Sequence, residues 1–189
     1  MKEKSIAKTL GGGLVTLALL LSGFGAQAAD AESVLRERCA ACHADETGTL
    51  TRIVGQRKTP EGWLMTVARM QHLHGLKVSD DERRAVVKYL ADRQGLAPLE
   101  TAGVRYALER RLNTMEAFDS EDFTQMCARC HSGARPSLQR RTEEEWKNVV
   151  HFHVGQFPTL EYQALARDRD WFDIALNKMA PELATRFAF

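Results

Sequence analysis

All four cysteines of this 189-residue chain lie in two Cys-x-x-Cys-His units, Cys39-Ala40-Ala41-Cys42-His43 and Cys127-Ala128-Arg129-Cys130-His131. Two thiols at this spacing add to the two vinyl groups of a haem, and the histidine that follows is placed to bind the iron from one face. Read this way, the chain carries two covalently bound haem c groups. Cys39, Cys42, Cys127 and Cys130 are the attachment points, and His43 and His131 are the proximal ligands. Other uses of paired cysteines fit less well. A redox dithiol of the thioredoxin kind appears once, at a strand-to-helix turn, and needs no histidine after it. The 88 residues between Cys39 and Cys127 far exceed the ligand spacings of small zinc modules.

Iron that carries electrons without binding small molecules needs a ligand on its second face. Each unit is followed by a Thr-x-Glu-x-Trp segment, Thr59-Pro60-Glu61-Gly62-Trp63 and Thr142-Glu143-Glu144-Glu145-Trp146. Helical spacing then lines up Trp63, Val67 and Met70, and likewise Trp146, Val150 and His153, at i, i+4 and i+7. The two stripes superimpose, so Met70 and His153 are equivalent and are the candidate sixth ligands. His72 and His74 compete for the first iron, although Gly75 suggests that the helix frays at His74. His151 competes for the second, but it lies about 200° around the helix from His153. Met179 is a distant alternative, and Met70 could instead fill a core gap. Trp63 and Trp146 read as packing residues against the porphyrin.

The elements that must position these groups read as helices. Residues 31–38 deliver Cys39, a polar loop covers 44–58, and Thr59 caps a helix that has Pro60 at its first position and ends at Gly75. Ser79 and Glu82 form a capping box for the next helix, which buries Val86, Val87 and Leu90 and closes at Gly95. From Pro98 a connector helix is expected through Val104, Leu108 and Leu112. Residues 120–126 deliver Cys127, and Thr142 with Glu145 form a second capping box. A last helical region after Pro158 carries Tyr162, Leu165, Trp171, Phe172, Ile174 and Leu176 over the second haem. No alternating strand pattern appears, so the expected fold is all-α, with two cytochrome c-like units in tandem. The boundaries are 1–28 for a signal peptide, 29–97 for the first unit, 98–118 for the connector and 119–189 for the second unit.

The first segment has Lys2, Lys4 and Lys8, an apolar run over 14–21 and Ala26-Gln27-Ala28, the pattern of a secretory signal. It carries three lysines and one glutamate, so its removal takes the formal charge from +1 to −1. That balance excludes nucleic-acid binding by electrostatics. The pairs Arg83-Arg84, Arg110-Arg111 and Arg140-Arg141 read as solvated helix faces. No later run approaches the ~20 apolar residues of a membrane span, so no membrane association is expected after cleavage.

The paired haem motifs, the two Thr-x-Glu-x-Trp segments, Tyr106-Ala107-Leu108-Glu109-Arg110-Arg111 and Asp168-Arg169-Asp170-Trp171 together resemble the dihaem domain of the α subunit of quinohaemoprotein amine dehydrogenase. The resemblance spans essentially the whole chain after the signal segment. It implies a periplasmic protein that takes electrons from a tryptophan-derived quinone on a small partner subunit, with a further dehydrogenase subunit in the assembly. It implies azurin or a cytochrome c as the soluble acceptor, and one His/Met and one bis-His haem. The family's α subunit continues into β-rich domains, whereas this chain stops at Phe187-Ala188-Phe189, as an N-terminal fragment or a dihaem domain standing alone. No amine site or quinone precursor is present, so amine oxidation is expected on partner chains. A free-standing dihaem shuttle and a dihaem peroxidase-like enzyme are the alternative readings.

Overall fold

The computed structural model describes residues 30–108, 116–162 and 168–189. The signal segment, Arg110-Arg111, Leu112 and Leu165 lie outside the described residues. Helix α1 spans 31–43, in three stretches: α-helical Ala31–Val34, π-helical Leu35–Cys39 and α-helical Ala40–His43. It is followed by α2 (Thr51–Val54), β1 (Gln56–Lys58), α3 (Pro60–His74), α4 (Asp80–Gln94) and α5 (Pro98–Thr101). The second half contains α6 (Glu121–Cys127), α7 (Ala134–Ser137), β2 (Gln139–Arg141), α8 (Glu143–Gln156), a 3-10 turn Leu160–Tyr162 and α9 over 171–186. The described chain is therefore mostly helical.

The caps form where the local chemistry requires them. Thr59 accepts from the Gly62 N–H at 3.2 Å, and Ser79 and Glu82 satisfy each other's backbone N–H groups at 3.2 and 2.7 Å. Gly75 takes the left-handed conformation at φ 70°, and the N–H groups of Gly75 and Leu76 both return to the Met70 carbonyl. This closes α3 firmly. The expected fraying at His74 does not occur, and His74 is the last helical residue.

Buried apolar side chains fall into two clusters. One gathers Val34, Leu35, Trp63, Val67, Val86 and Leu90; the other gathers ten residues, including Phe123, Met126, Trp146, Val150, Trp171 and Met179. Trp63 and Trp146 are each only 2% exposed, so protein atoms alone cover both indoles. Val87 is only half-buried, at the edge of the first cluster.

The mostly helical chain agrees with the expected all-α class, with one addition and two corrections. First, a short ribbon is added: β1 and β2 pair antiparallel, with Gln56 opposite Arg141, Arg57 opposite Arg140 and Lys58 opposite Gln139. Three-residue strands are too short for alternation to reveal. Second, among the described residues of the connector the helix covers only Pro98–Thr101, and 102–108 continue in turns. There the Arg105 guanidinium bonds to the Thr101 hydroxyl at 2.9 Å instead of projecting from a helix. Third, Arg140 and Arg141 do not form a solvated helix face. They lie in β2, and Arg141 is 7% exposed. Arg84, by contrast, does project from α4 into solvent, paired with Asp81.

The ribbon has an internal symmetry. The interval of 83 residues that separates Gln56 from Gln139 also separates Arg57 from Arg140, Trp63 from Trp146 and Met70 from His153. Arg57 and Arg140 are thus equivalent, and they face each other at the ribbon's centre. Both converge on Glu100, whose carboxylate accepts from Arg57 at 2.8 and 3.2 Å and lies 3.7 Å from Arg140. Arg57 and Glu100 are 30% and 28% exposed and Arg140 11%, so replacing Glu100 with alanine is expected to cost only about 1 kcal/mol in urea denaturation. A cost near zero would show that the ribbon does not depend on this clamp.

Candidate haem sites

The second site brings together the residues paired from the sequence. The rings of His131 and His153 face each other with centroids 6.3 Å apart and planes inclined by 36°. The Nδ1 atom of His131 lies 2.9 Å from the Ser132 carbonyl, and that of His153 lies 2.7 Å from the Val149 carbonyl. An imidazole whose Nδ1–H donates to a carbonyl keeps its proton there and leaves the Nε2 lone pair for a metal. Burial holds the His153 pKa below its ordinary value despite the Val149 contact, and His131 and Arg69 push the same way. His153 is therefore neutral at pH 7, the form that ligates.

The spacing fits a haem iron. Two metal–imidazole bonds of about 2.0 Å in line, with each ring centre a further ~1.2 Å beyond its nitrogen, would place the centroids about 6.4 Å apart, against the 6.3 Å found. Trp171 flanks His153 with ring centres 6.0 Å apart. His151 is exposed and stacks edge-on against Phe172 instead. Met179 is 1% exposed inside the second apolar cluster, where it acts as packing.

The turn after His131 is held from behind. Glu116 accepts from the Ser132 hydroxyl and from the Gly133 N–H at 2.9 Å. A side chain at Gly133 would place its Cβ 2.3 Å from the Phe118 ring. Gly133→Ala is therefore expected to lower stability by about 1–3 kcal/mol through overpacking, read by urea denaturation. An unchanged midpoint would mean that the Phe118 ring moves aside freely.

The first site is arranged differently. In the first unit the Cys-x-x-Cys-His motif lies in the last turns of α1, whereas in the second the helix stops at Cys127 and the motif turns through bends. The Nδ1 of His43 is buried and has no hydrogen-bond partner. Such an atom is costly to leave unpaired, and unlike His131 and His153, His43 has no carbonyl to hold its Nδ1 proton. Burial lowers the His43 pKa first, Arg52 and His74 lower it further, and Glu145 opposes them. His74 is thus close enough to be felt at His43. Met70 is half-buried one helical turn earlier on the same face. His72 is exposed and lines a shallow groove with Leu76 and Val78.

The cysteines do not look like redox dithiols. Burial raises the Cys39 thiol and pushes Cys127 up to about 12, with Glu182 adding and Arg186 opposing. A reactive dithiol needs a depressed pKa. Cys42 and Cys130 are exposed. Among the described residues no three His, Cys, Asp or Glu side chains converge as a metal-ion cage.

Between the two sites runs a buried ionic network that the sequence did not reveal. Glu145, 3% exposed, receives Arg52, the Gln56 amide at 2.9 Å, Asn148 at 2.9 Å and Arg141 at 3.4 Å. The expected second capping box is therefore only half made. Thr142 accepts from the Glu145 N–H at 3.3 Å, but its own N–H donates to the Gly55 carbonyl at 3.1 Å across the ribbon. That frees the Glu145 carboxylate for the cations.

Comparison with known protein families agrees with the residues. A family model described as quinohemoprotein amine dehydrogenase A, alpha subunit, haem binding, matches residues 29–189. The chain belongs to this family. No curated protein matches it. The quinohaemoprotein amine dehydrogenase model covers both Cys-x-x-Cys-His units and both Thr-x-Glu-x-Trp segments. Haem binding is the activity that its description assigns. Among the described residues of this α-subunit domain, no helix is long and apolar enough to cross a membrane.

Proposed function

We propose that this chain is the electron-transferring dihaem part of a quinohaemoprotein amine dehydrogenase. Cys39 and Cys42 attach one haem c, with His43 and Met70 as its axial ligands, and Cys127 and Cys130 attach the other, with His131 and His153. The observation that carries this reading is the facing pair His131 and His153, each anchored through Nδ1 to a backbone carbonyl. The groups would supply one-electron exchange between ferrous and ferric iron. The protein's own residues fix ring orientation, exclude water and set the charge around each site. Units 29–97 and 119–189, joined through 98–118, would each hold one group. Cleavage after Ala28 would release the chain into the periplasm, where it would pass electrons from a quinone on a small partner subunit to azurin or a cytochrome c. Amine oxidation would reside on the partner chains.

For the first iron a specific observation supports a second ligand. His74 is helical, exposed and near His43, so it stands one turn beyond Met70 as a rival. Thioether sulfur favours ferrous iron more than imidazole does, so a Met70 site titrates well above the bis-His site. The deciding measurement is a redox titration of the mature protein together with its intact mass. Two added haem masses and two separated waves are expected. Met70→His should lower only the upper wave, and abolish the weak red absorption band of ferric iron bound to sulfur. If that band is already absent and His74→Ala removes the upper wave, His74 is the ligand.

A further inference from the structure

The boundary between the two halves holds a surplus of positive charge. Lys58 is 3% exposed and donates to the Thr66 hydroxyl at 2.7 Å, while its ammonium lies 4.9 Å from the Trp63 ring centre. Arg141 repeats this arrangement over Trp146 at 5.5 Å. The duplication is incomplete in one respect: the residue equivalent to Glu145 is Gly62, so one carboxylate serves both copies. Arg69 lies beside this group, its guanidinium 4.9 Å over the ring of Phe152. Phe152 is the 83-residue equivalent of Arg69, so this contact lies on the same local axis as Arg57 and Arg140.

Arg69 has no carboxylate partner among the described residues, and neither does Arg135, which is close enough to repel it. Burial pushes the Lys58 ammonium well below its ordinary pKa, and Arg141 and Arg69 push it further, with Glu145 opposing. The buried indole N–H of Trp146 also lacks an acceptor. Cations and donors that face one another without anions are unfavourable unless an anion joins them. The Phe152 ring lies under the Arg69 guanidinium and 6.0 Å from the ring of the next residue, His153. The missing anion therefore belongs beside the second haem site.

We infer that Arg69, with Arg135, binds the propionate carboxylates of the His131/His153 haem across the boundary between the halves. This rests on the dihaem reading above. The pairing is charge-assisted, and the planar guanidinium suits a carboxylate. Arg69 comes from the helix that carries Met70, so a residue of the first half would hold the cofactor of the second. A cation beside the propionates disfavours the ferric state, which carries one more positive charge, and so raises the potential.

The test uses the mature holoprotein with Arg69→Gln, Arg69→Lys and the surface variant Arg135→Gln. Haem is counted first by pyridine haemochrome, and a wild-type count of fewer than two would overturn the dihaem reading itself. With two haems retained, Arg69→Gln is expected to shift the ferrous/ferric ratio of the lower wave about tenfold towards ferric, about 59 mV for one electron. The haem-propionate bending band in the resonance Raman spectrum should move with it. Arg69→Lys should restore most of the shift, and Arg135→Gln should show a smaller one. If both haems are present and neither the lower wave nor the propionate band moves in Arg69→Gln and Arg135→Gln, the propionates lie elsewhere and the inference fails.

Discussion

Replacing His153 with alanine is expected to turn one of the two haems from six-coordinate to five-coordinate, so that the reduced protein binds one carbon monoxide per chain where the parent binds none. The expectation follows from the 6.3 Å separation of the His131 and His153 rings, the spacing of two imidazoles on one iron. Removing the distal ring leaves His131 in place, because its Nδ1 contact with Ser132 and the Glu116 clamp on the following turn do not depend on α8. The lower wave should vanish or move upward by on the order of 0.1 V, within the roughly 0.8 V that axial ligation spans. His151→Ala is the control, since His151 packs on Phe172 away from the site, and it should leave carbon monoxide binding at the parent level. If His153→Ala binds no carbon monoxide and both waves stay in place, the distal ligand of the second haem is another residue.

Replacing Glu145 with leucine is expected to cost about 3–5 kcal/mol of stability, the range for stripping one partner from a buried charge group. Arg141 is 7% exposed and Lys58 3%, so neither can recover the loss by turning to water. Burial has already lowered the Arg141 pKa to about 10, with Glu145 opposing the shift and Arg52 and Arg69 adding to it. Without Glu145 these cations would face one another. Urea denaturation measures the effect. The double variant Arg141→Met/Glu145→Leu should lose less than the two single losses combined, because it removes a cation along with its anion. Strict additivity would mean that Arg141 and Glu145 do not interact, which would sink the network as described.

The haem chemistry was legible because it lives in short local patterns. The spacing of Cys-x-x-Cys-His points to haem, the group the family match assigns to the domain, and Trp146, Val150 and His153 share a face because an α-helix has 3.6 residues per turn. The caps at Thr59, Ser79 and Gly75 were equally local, since each depends on atoms within a few residues. Helical geometry also separated His153 from His151, and the two rings have different neighbours, His131 for one and Phe172 for the other.

What the tertiary structure decided involves partners far apart in the chain. Three residues on either side of the ribbon carry no periodic signature, so pairing Arg57 with Arg140 required the two halves to meet. Glu145 has the position of a capping-box residue, yet its carboxylate turns to Arg52, 93 residues away. The reason is energetic: once Thr142 gives its N–H to Gly55, the box has no second bond to offer, and buried cations attract the carboxylate more strongly than an exposed backbone group does. Arg140 and Arg141 read as solvated charges for the same reason, because a sequence shows the charge of a residue but not the ion that will neutralise it. By itself the sequence determined which residues can hold haem; only the folded contacts between the halves decided which charges surround those sites.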